Sequence, residues 1–368
     1  MGLEEQRQRS QLAFLASGEQ IEVGDRDTLP LPLEQLVATT ATSPHVVESF
    51  DSGLTAHVYK IVAGGRHWTL KRRRAESRVR NVDGQTSFLN EVQRRRDFTA
   101  LKRDPETAPL FTHIVDTQYA SWRDGLILSP WIEGERLQHF DARVFTQLFG
   151  TIVHLELHGL FEWDFCPGNI VDDGARLTLF DFGYMYRYEP REHYNPNGLA
   201  TPLFHGVERF ETRNFFDFLL RNPQALDERG RLALYAEEKR HALVHYEHKL
   251  SRLEAMKAGE PVLAWQGALN QRWRQALGSP ESLQRLYLLE GFRSQVLDLL
   301  DDLHGKSCTP VTLQKADAVL GMLREHFTLL EEQRGLFFGD EARTQAELVA
   351  RYQALRQKAV EDQLPRGA

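Results

Sequence analysis

The stretch that decides the fold lies in the middle of the chain and reads WDFCPGNIVDDGARLTLFDFG, residues 163–183. It opens with Asp164 in a loop that contains a Pro-Gly pair, and Asn169 follows five positions later. Two short β-like runs come next, joined by Asp172-Asp173-Gly174, which is typical hairpin chemistry. The second run leads directly to Asp181. We therefore expect the hairpin to bring the aspartates and the asparagine close together.

These three side chains offer the oxygen chemistry that phosphate transfer requires. Asp164 is predicted to follow the end of a helix and to precede a tight turn, so that its carboxylate is held near an attacking hydroxyl group. Asn169 and Asp181 provide hard oxygen ligands of the kind that Mg²⁺ prefers.

Short β-like runs precede this stretch and predict an antiparallel meander. They cover residues 46–50, 57–62 and 67–71, and Gly64-Gly65 between the last two indicates a two-residue hairpin. Lys71 ends the third run, which places it within a strand of the predicted sheet.

A helix is predicted directly after the meander, over residues 86–102, with Thr86 or Ser87 as its N-cap. It carries Glu91, the obvious carboxylate to hold the ammonium group of Lys71.

The parts taken together resemble those of protein-kinase-like enzymes. The resemblance covers roughly residues 45–190. It implies that Lys71 contacts the phosphates of ATP with Glu91 as its anchor. It also implies that Asp164 is the catalytic base or orienting group, and that Asn169 and Asp181 bind Mg²⁺.

Two further segments correspond to the nucleotide site of that family. The turn around Gly53 lies where a glycine-rich loop covers the phosphates, although Ala56 stands where another glycine is expected. Residues 128–134 resemble the hinge that binds adenine, with the carbonyl of Pro130 as acceptor and the N-H of Ile132 as donor.

The sequence departs from conventional protein kinases at several positions. Trp163 replaces the arginine before the catalytic aspartate, Cys166 stands where a lysine is usual, and no Ala-Pro-Glu follows Asp181-Phe182-Gly183. The loop is more similar to those of the aminoglycoside phosphotransferase, choline kinase and atypical kinase branches. A hydroxyl group of a small molecule is therefore at least as suitable an acceptor as one of a protein.

The predicted fold class is α+β, with a two-lobed kinase-like architecture. Residues 1–40 are predicted to be an N-terminal arm and 41–133 a small antiparallel β-rich N-lobe. Residues 134–368 would form a large helical C-lobe, in which 135–190 hold the catalytic and metal-binding loops and 225–368 form a helical extension.

Further elements complete this outline. Strand-like runs cover residues 113–116 and 126–129, and a long helix is predicted over 142–158. Residues 184–224 are rich in aromatic and turn-forming side chains, and we expect them to form the acceptor site together with the C-terminal helices.

Composition excludes several classes of function. The chain of 368 residues is 41% hydrophobic and 26% charged, which is typical of globular proteins, and its net charge of -7 argues against nucleic acid as a partner. Cys166 and Cys308 are too few for a disulfide framework, so a reducing cytoplasmic compartment is expected. No apolar run approaches the roughly 20 residues of a membrane span.

Three alternative interpretations concern single features. His154 and His158 are spaced like a zinc pair, but packing or a helix-end hydrogen bond is favoured because Leu155 stands where the metalloprotease motif requires glutamate. The arginine runs 72–74 and 94–96 could bind an acidic substrate or a lipid headgroup, but solvated faces are the favoured interpretation. A kinase-like scaffold that binds protein partners, without catalysis, is the alternative to an enzyme.

Overall fold

The computed structural model describes residues 2–50 and 53–364, which form an α+β protein with a small antiparallel sheet and a large helical part. The predicted fold class is confirmed at this level. The strands are β1 (Glu22–Gly24), β2 (Val46–Phe50), β3 (Ala56–Ala63), β4 (Arg66–Arg73), β5 (Tyr119–Ser121), β6 (Leu126–Pro130), β7 (Glu135–Arg136), β8 (Leu160–Glu162), β9 (Ile170–Asp172), β10 (Leu177–Leu179) and β11 (Met185–Arg187). The helices are α1 (Leu3–Ser17), α2 (Leu33–Val37), α3 (Val82–Arg103), α4 (Ala142–Leu157), α5 (Gly206–Phe210), α6 (Phe216–Arg221), α7 (Glu228–Ala255), α8 (Glu260–Ala276), α9 (Pro280–Gly305), α10 (Pro310–Glu332) and α11 (Gln345–Glu361).

The main sheet has six strands in the order β1-β5-β6-β4-β3-β2, and each neighbouring pair is antiparallel. The predicted meander and its hairpin are confirmed: Gly64 and Gly65 connect β3 to β4 with φ values of 57° and 72°. Such positive φ values suit a primed two-residue turn and favour glycine. Since β4 lies between β3 and β6, Lys71 occupies an interior strand of the sheet.

Helix α3 packs on one face of this sheet. Its Phe88, Leu89 and Val92 share a buried cluster with Ala120 of β5 and Ile127 of β6. This apolar contact fixes the helix relative to the strands, and it therefore determines how far Glu91 lies from Lys71.

The predicted N-cap of this helix was wrong. The helix begins earlier, with Asn81 as its cap, whose Oδ1 accepts a hydrogen bond of 2.7 Å from the N-H of Gly84. Thr86 and Ser87 lie inside the first turns, where their hydroxyls donate to the backbone carbonyls of Val82 and Gly84. Asparagine is as good a cap as serine or threonine, and the helix begins after the earlier of these capping residues.

The first forty residues do more than form an arm. β1 adds an edge strand to the sheet by pairing with β5. Val23 within β1 and Ile21 directly before it are both buried. Leu36 of α2 is completely buried in a second cluster with strand residues. Apolar side chains in this polar segment thus contribute to the core.

Residues 113–116 are not a strand, contrary to the prediction. Ile114 forms a single parallel bridge with Leu179. The following strands of the sheet are β5 and β6, so the β-like run at 126–129 is confirmed. Apolar side chains at 114 and 115 are buried against the helical part instead, which explains the misleading pattern.

The described helical part has two large buried clusters and a small third one formed by Leu253, Ala258 and Val262. The larger one surrounds α4, which is confirmed over Ala142–Leu157, and it includes side chains of α5 to α8. The second lies among α9, α10 and α11. Ser279 and Pro280 begin α9, and Thr309 and Pro310 begin α10, as their N-cap and first-turn chemistry predicts. None of the helices in the described ranges is both long and apolar enough to cross a lipid bilayer.

Candidate active site

Lys71 joins the sheet to two carboxylates from other parts of the chain. Its Nζ lies 2.9 Å from Oε1 of Glu91 in α3 and 2.8 Å from Oδ2 of Asp181. The lysine is only 3% exposed. Burial opposes its charge, but the carboxylates of Asp181 and Glu91 outweigh this effect and raise the pKa of Lys71. The structure therefore brings these three residues together around one buried ammonium group.

Glu91 is held from a second side by a residue that the sequence interpretation had placed on a solvated face. Arg95, one turn further along α3, donates to Glu91 Oε1 at 2.9 Å and to the carbonyl of Phe180 at 2.5 Å. Arg94 is also buried, and its Nε lies 2.9 Å from a carboxylate oxygen of Asp97. The interpretation of residues 94–96 as a solvated face was thus wrong for two of the three arginines, because both have buried carboxylate partners.

The segment that follows Asp181 is fixed by α3. Phe182 is fully buried with its ring 4.7 Å from that of Phe98. Asn90 donates to the carbonyls of Phe182, Gly183 and Met185 at 3.2, 3.0 and 2.7 Å. Asp181 itself keeps about one third of its side chain exposed, with 35% accessible. The carboxylate of Asp181 is thus accessible to solvent, while the backbone that follows it is held in place by α3.

The charge state of Asp181 follows from its neighbours. Its partly enclosed position favours the neutral form, but the ammonium of Lys71 and a hydrogen bond from the N-H of Gly183 at 3.2 Å outweigh this and lower its pKa. An ionised carboxylate is the form that binds a divalent cation.

Asp164 and Asn169 lie together at the neighbouring turn. The side-chain nitrogen of Asn169 donates to the backbone carbonyl of Asp164 at 2.9 Å and approaches its Oδ2 at 3.3 Å. The expected hairpin of β9 and β10 is present, and the N-H of Phe180 donates to the carbonyl of Asn169 at 3.3 Å. This bond connects the asparagine turn to the residue that precedes Asp181.

The local context of Asp164 differs from the prediction in one respect. Helix α4 ends at Leu157, and β8 lies between it and Asp164, so the aspartate follows a strand and not a helix end. β8 pairs with β11, which forms after Asp181. This pairing ties together the two chain segments that carry the aspartates.

Three residues near Asp164 were missed by the sequence interpretation. Glu162 is buried and accepts the N-H of Asp164 at 2.8 Å; burial, and then the nearby charges of Asp164 and Asp181, raise its pKa well above the usual value. Arg213 donates to Asp164 Oδ1 at 3.1 Å, and Asn214 donates to the carbonyl of Phe165 at 2.9 Å. The last two are almost fifty residues away along the chain, and no local pattern points to them.

Gly53 lies in a tight turn before β3. A Cβ atom here would lie 2.3 Å from the carbonyl oxygen of Ala56, and the carbonyl of Gly53 accepts from Arg74 Nε at 2.8 Å. The glycine is thus required by the fold of the turn. Ser52, the other part of the predicted phosphate turn, is outside the described residues.

The predicted hinge connects the sheet to the helical part. Pro130 ends β6 opposite Trp68 and is exposed, whereas Ile132 is partly buried against the larger helical cluster. Between them the N-H of Trp131 donates to the carbonyl of His67 at 3.1 Å. Residues 130–132 therefore connect the six-stranded sheet to the helical part.

The oxygen atoms present fit Mg²⁺ that is shared with phosphates. In residues 2–50 and 53–364 no group of three or more His, Cys, Asp or Glu side chains could hold a metal ion alone. Mg²⁺ commonly takes one or two protein oxygens, with phosphates and water as its other ligands. Asp181 would supply a carboxylate, and because the side-chain nitrogen of Asn169 faces Asp164, the Oδ1 of Asn169 would be the second protein ligand.

The histidine pair has a structural role at the end of α4. Nδ1 of His158 makes a hydrogen bond of 2.7 Å with the carbonyl of His154, and its ring packs edge-on against Phe111. Burial, followed by neighbouring positive groups, lowers the pKa of His154. The helix-end hydrogen bond that was favoured over zinc binding is present.

No protein-family model matches this chain, and no curated protein matches it either. Its function is therefore inferred from the residues and their geometry.

Proposed function

We propose that this protein is an ATP- and Mg²⁺-dependent phosphotransferase with a two-lobed kinase-like fold. The observation that carries the proposal is the contact of Lys71 with Glu91 and Asp181, beside a turn that holds Asp164 and Asn169. A buried lysine held by a helix glutamate, next to two oxygen ligands and a further aspartate, provides the positioning and charge that phosphoryl transfer needs.

The residues would act as follows. Asp164 orients the acceptor hydroxyl and takes its proton as the oxygen attacks the γ-phosphorus of ATP. The bond from that phosphorus to the β,γ-bridging oxygen breaks, and ADP leaves with the electron pair. Lys71 holds the phosphates, and Glu91 holds Lys71. When bound by Asn169 and Asp181, Mg²⁺ supplies charge neutralisation on the β- and γ-phosphates.

The nucleotide would lie between the sheet and the helical part. In this arrangement the turn at Gly53 covers the phosphates, and the backbone of Pro130 and Ile132 binds the adenine. The lysine strand β4 lies next to β6, which ends at the hinge, so one pair of strands supports both ends of the nucleotide.

The acceptor would be a hydroxyl group of a small molecule or a protein. The absence of an arginine before Asp164, where Trp163 stands, removes the usual contact with a phosphorylated loop. Trp163 packs instead against Phe161 and Phe204, with ring centroids 4.9 and 5.0 Å apart. This aromatic packing favours a site that is formed permanently rather than by phosphorylation.

Asp181→Asn tests the proposal. We expect the wild-type protein to convert ATP to ADP with Mg²⁺ and to phosphorylate a member of a panel of small hydroxyl compounds and proteins. The variant should lose at least about 100-fold in kcat, because it loses a charge that acts on the transferred group. Asp116→Asn is the matched control: Asp116 also pairs with a lysine, Lys102 at 2.6 Å, but is 73% exposed.

Two results would contradict this assignment. Full turnover by a correctly folded Asp181→Asn protein would exclude the role given to Asp181. Binding of ATP by the wild type, measured by thermal shift with and without Mg²⁺, but no turnover with any acceptor, would favour the second candidate, a kinase-like scaffold. The single glycine in the phosphate turn is the observation that speaks for that candidate.

A further inference from the structure

Arg213 connects Asp164 to the C-terminal helices. Its Nε donates to Asp164 Oδ1 at 3.1 Å, while its Nη1 contacts Asp298 of α9 and lies 3.7 Å from Asp302. The side chain is 22% exposed, so its outer face reaches solvent. It therefore links a candidate catalytic carboxylate to the buried Asp298 and the partly buried Asp302 on another helix.

The backbone that presents Arg213 has an unusual geometry. Residues Glu211–Phe215 form a π-helical turn between α5 and α6. Such turns are rare and frequently occur at functional sites. The next residue, Asn214, donates to the carbonyl of Phe165 at 2.9 Å. The π-helical turn thus contacts the loop at two points, the backbone carbonyl of Phe165 and the carboxylate of Asp164.

The opposite end of Arg213 is held by a fixed set of charges. Lys315 of α10 contacts Asp298 and lies 3.6 Å from Asp302. The two aspartates that pair with Arg213 are therefore also paired with a lysine. Burial opposes the charge of Arg213, but the carboxylates of Asp298, Asp164 and Asp302 outweigh it and raise its pKa well above the usual value. The guanidinium group is therefore a permanent cation in a rigid position.

The thiol near Asp164 in the same loop is uncharged. Cys166 lies two residues further on, and burial, with the nearby charge of Asp164, raises the pKa of its thiol well above the usual value. A neutral thiol cannot orient a carboxylate by charge. The cation that faces Asp164 Oδ1 comes from the π-helical turn.

We propose that Arg213 is a positioning residue for phosphoryl transfer, which holds Oδ1 of Asp164 so that Oδ2 faces the acceptor hydroxyl. This rests on the proposed function. Oδ2 has a longer contact, 3.3 Å to Asn169 Nδ2, and keeps a lone pair for the proton of the acceptor. Because the arginine acts through Asp164, it should affect the rate of the chemical step and not the affinity for ATP.

The test compares Arg213→Met, Arg213→Lys and Arg213→Gly with the wild type. The assay follows ADP formation from ATP and Mg²⁺, with water or the best acceptor of the panel. We expect kcat of Arg213→Met to fall about 100-fold, because a small displacement of a catalytic group has this order of effect. The KM for ATP should stay within about threefold, since ground-state binding is unchanged.

The remaining variants separate positioning from a merely structural role. Arg213→Lys keeps the charge that faces Asp298 and should fold, but it lacks the fork that reaches two carboxylates, so its kcat should be intermediate. Added guanidinium chloride should restore part of the kcat of Arg213→Gly. Arg26→Gln is the control, because Arg26 pairs with Glu22 at 2.8 Å and is 49% exposed; its kcat should equal that of the wild type.

The outcomes are distinguishable. If the wild type turns over ATP and Asp181→Asn does not, a normal kcat in folded Arg213→Met and Arg213→Lys overturns this inference alone. A change in KM for ATP without a change in kcat also overturns it. If the wild type shows no turnover, the proposed function fails and the inference falls with it. A loss of kcat that guanidinium partly restores supports it.

Discussion

At the scale of single residues, the site is organised by cations that each hold two or more carboxylates. Lys71 pairs with Glu91 and Asp181, and Arg213 pairs with Asp164 and Asp298. In each case one carboxylate is more buried than the other. The buried acid fixes the cation, and the cation fixes the acid that faces open space. Neither cation could be replaced by a neutral residue without leaving an unpaired charge.

Glu91→Gln should destabilise the protein strongly. Glu91 is 2% exposed and accepts from both Lys71 and Arg95. Its loss leaves two buried cations with less compensation, and we expect the free energy of unfolding to fall by about 3–5 kcal/mol. Urea denaturation would measure the change.

Glu22→Gln is the matched control for this variant. Glu22 also pairs with an arginine, Arg26 at 2.8 Å, but both side chains are substantially exposed. Its removal should leave the urea midpoint nearly unchanged. Equal midpoints for the two variants would mean that the buried pair contributes no more than a surface one.

At the scale of elements, the start of α3 depends on a close approach between its first turn and the segment before it. The cap at Asn81 is possible because Gly84 lies closely against the preceding turn. A Cβ atom on Gly84 would lie 2.5 Å from Cβ and 2.6 Å from the carbonyl oxygen of Val79. The absence of a Cβ atom at Gly84 thus allows the first turn of α3 to lie close to Val79, in the segment that precedes the helix.

Gly84→Ala should therefore destabilise the protein, although alanine is the better helix former. We expect a loss of about 1–3 kcal/mol from overpacking against Val79. Gly267→Ala in α8 is the control: a Cβ atom there would meet no atom within 4 Å, so this variant should gain about 0.5–1 kcal/mol. Thermal unfolding of both proteins gives the sign, and a stabilised Gly84→Ala protein would contradict the close approach.

At the scale of the whole molecule, a second set of buried charges holds the helical part together. Nζ of Lys239 in α7 contacts Glu211 of the π-helical turn, lies 2.6 Å from Glu290 of α9 and lies 3.6 Å from Glu238. Arg293 also pairs with Glu211, at 2.5 Å. The same turn that presents Arg213 to Asp164 is therefore anchored inside the helical core.

Lys239→Met should destabilise the whole helical part. Methionine resembles lysine in length, but it leaves three buried carboxylates around an uncharged side chain, and we expect a loss of about 3–5 kcal/mol. Lys358→Met in α11 is the control, since Lys358 is exposed. Guanidinium denaturation followed by circular dichroism would compare them. A wild-type midpoint for Lys239→Met would show that these carboxylates are compensated without the lysine.

Local chemistry in the sequence by itself determined the α+β class, the β3–β4 and β9–β10 hairpins, and the order in which Lys71, Glu91 and Asp181 occur. Alternation, turn residues and helix caps act over a few positions, so they are visible in one sequence. The error at the start of α3 arose because Asn81 offers the same capping chemistry as Thr86 or Ser87 at an earlier position. The error at residues 113–116 arose because the apolar side chains at 114 and 115 are buried against the helical part and not in a strand.

Only the tertiary structure decided which distant side chains meet. The pairing of β1 with β5, the contact of Arg213 with Asp164 and the contact of Lys239 with Glu211 join residues that are 28 to almost one hundred positions apart. Such contacts depend on how whole helices and strands pack. The local sequence around a charged residue does not indicate whether its side chain will be solvated or buried with a partner. The physical reason is that burial is a property of the packed molecule and not of the local chain.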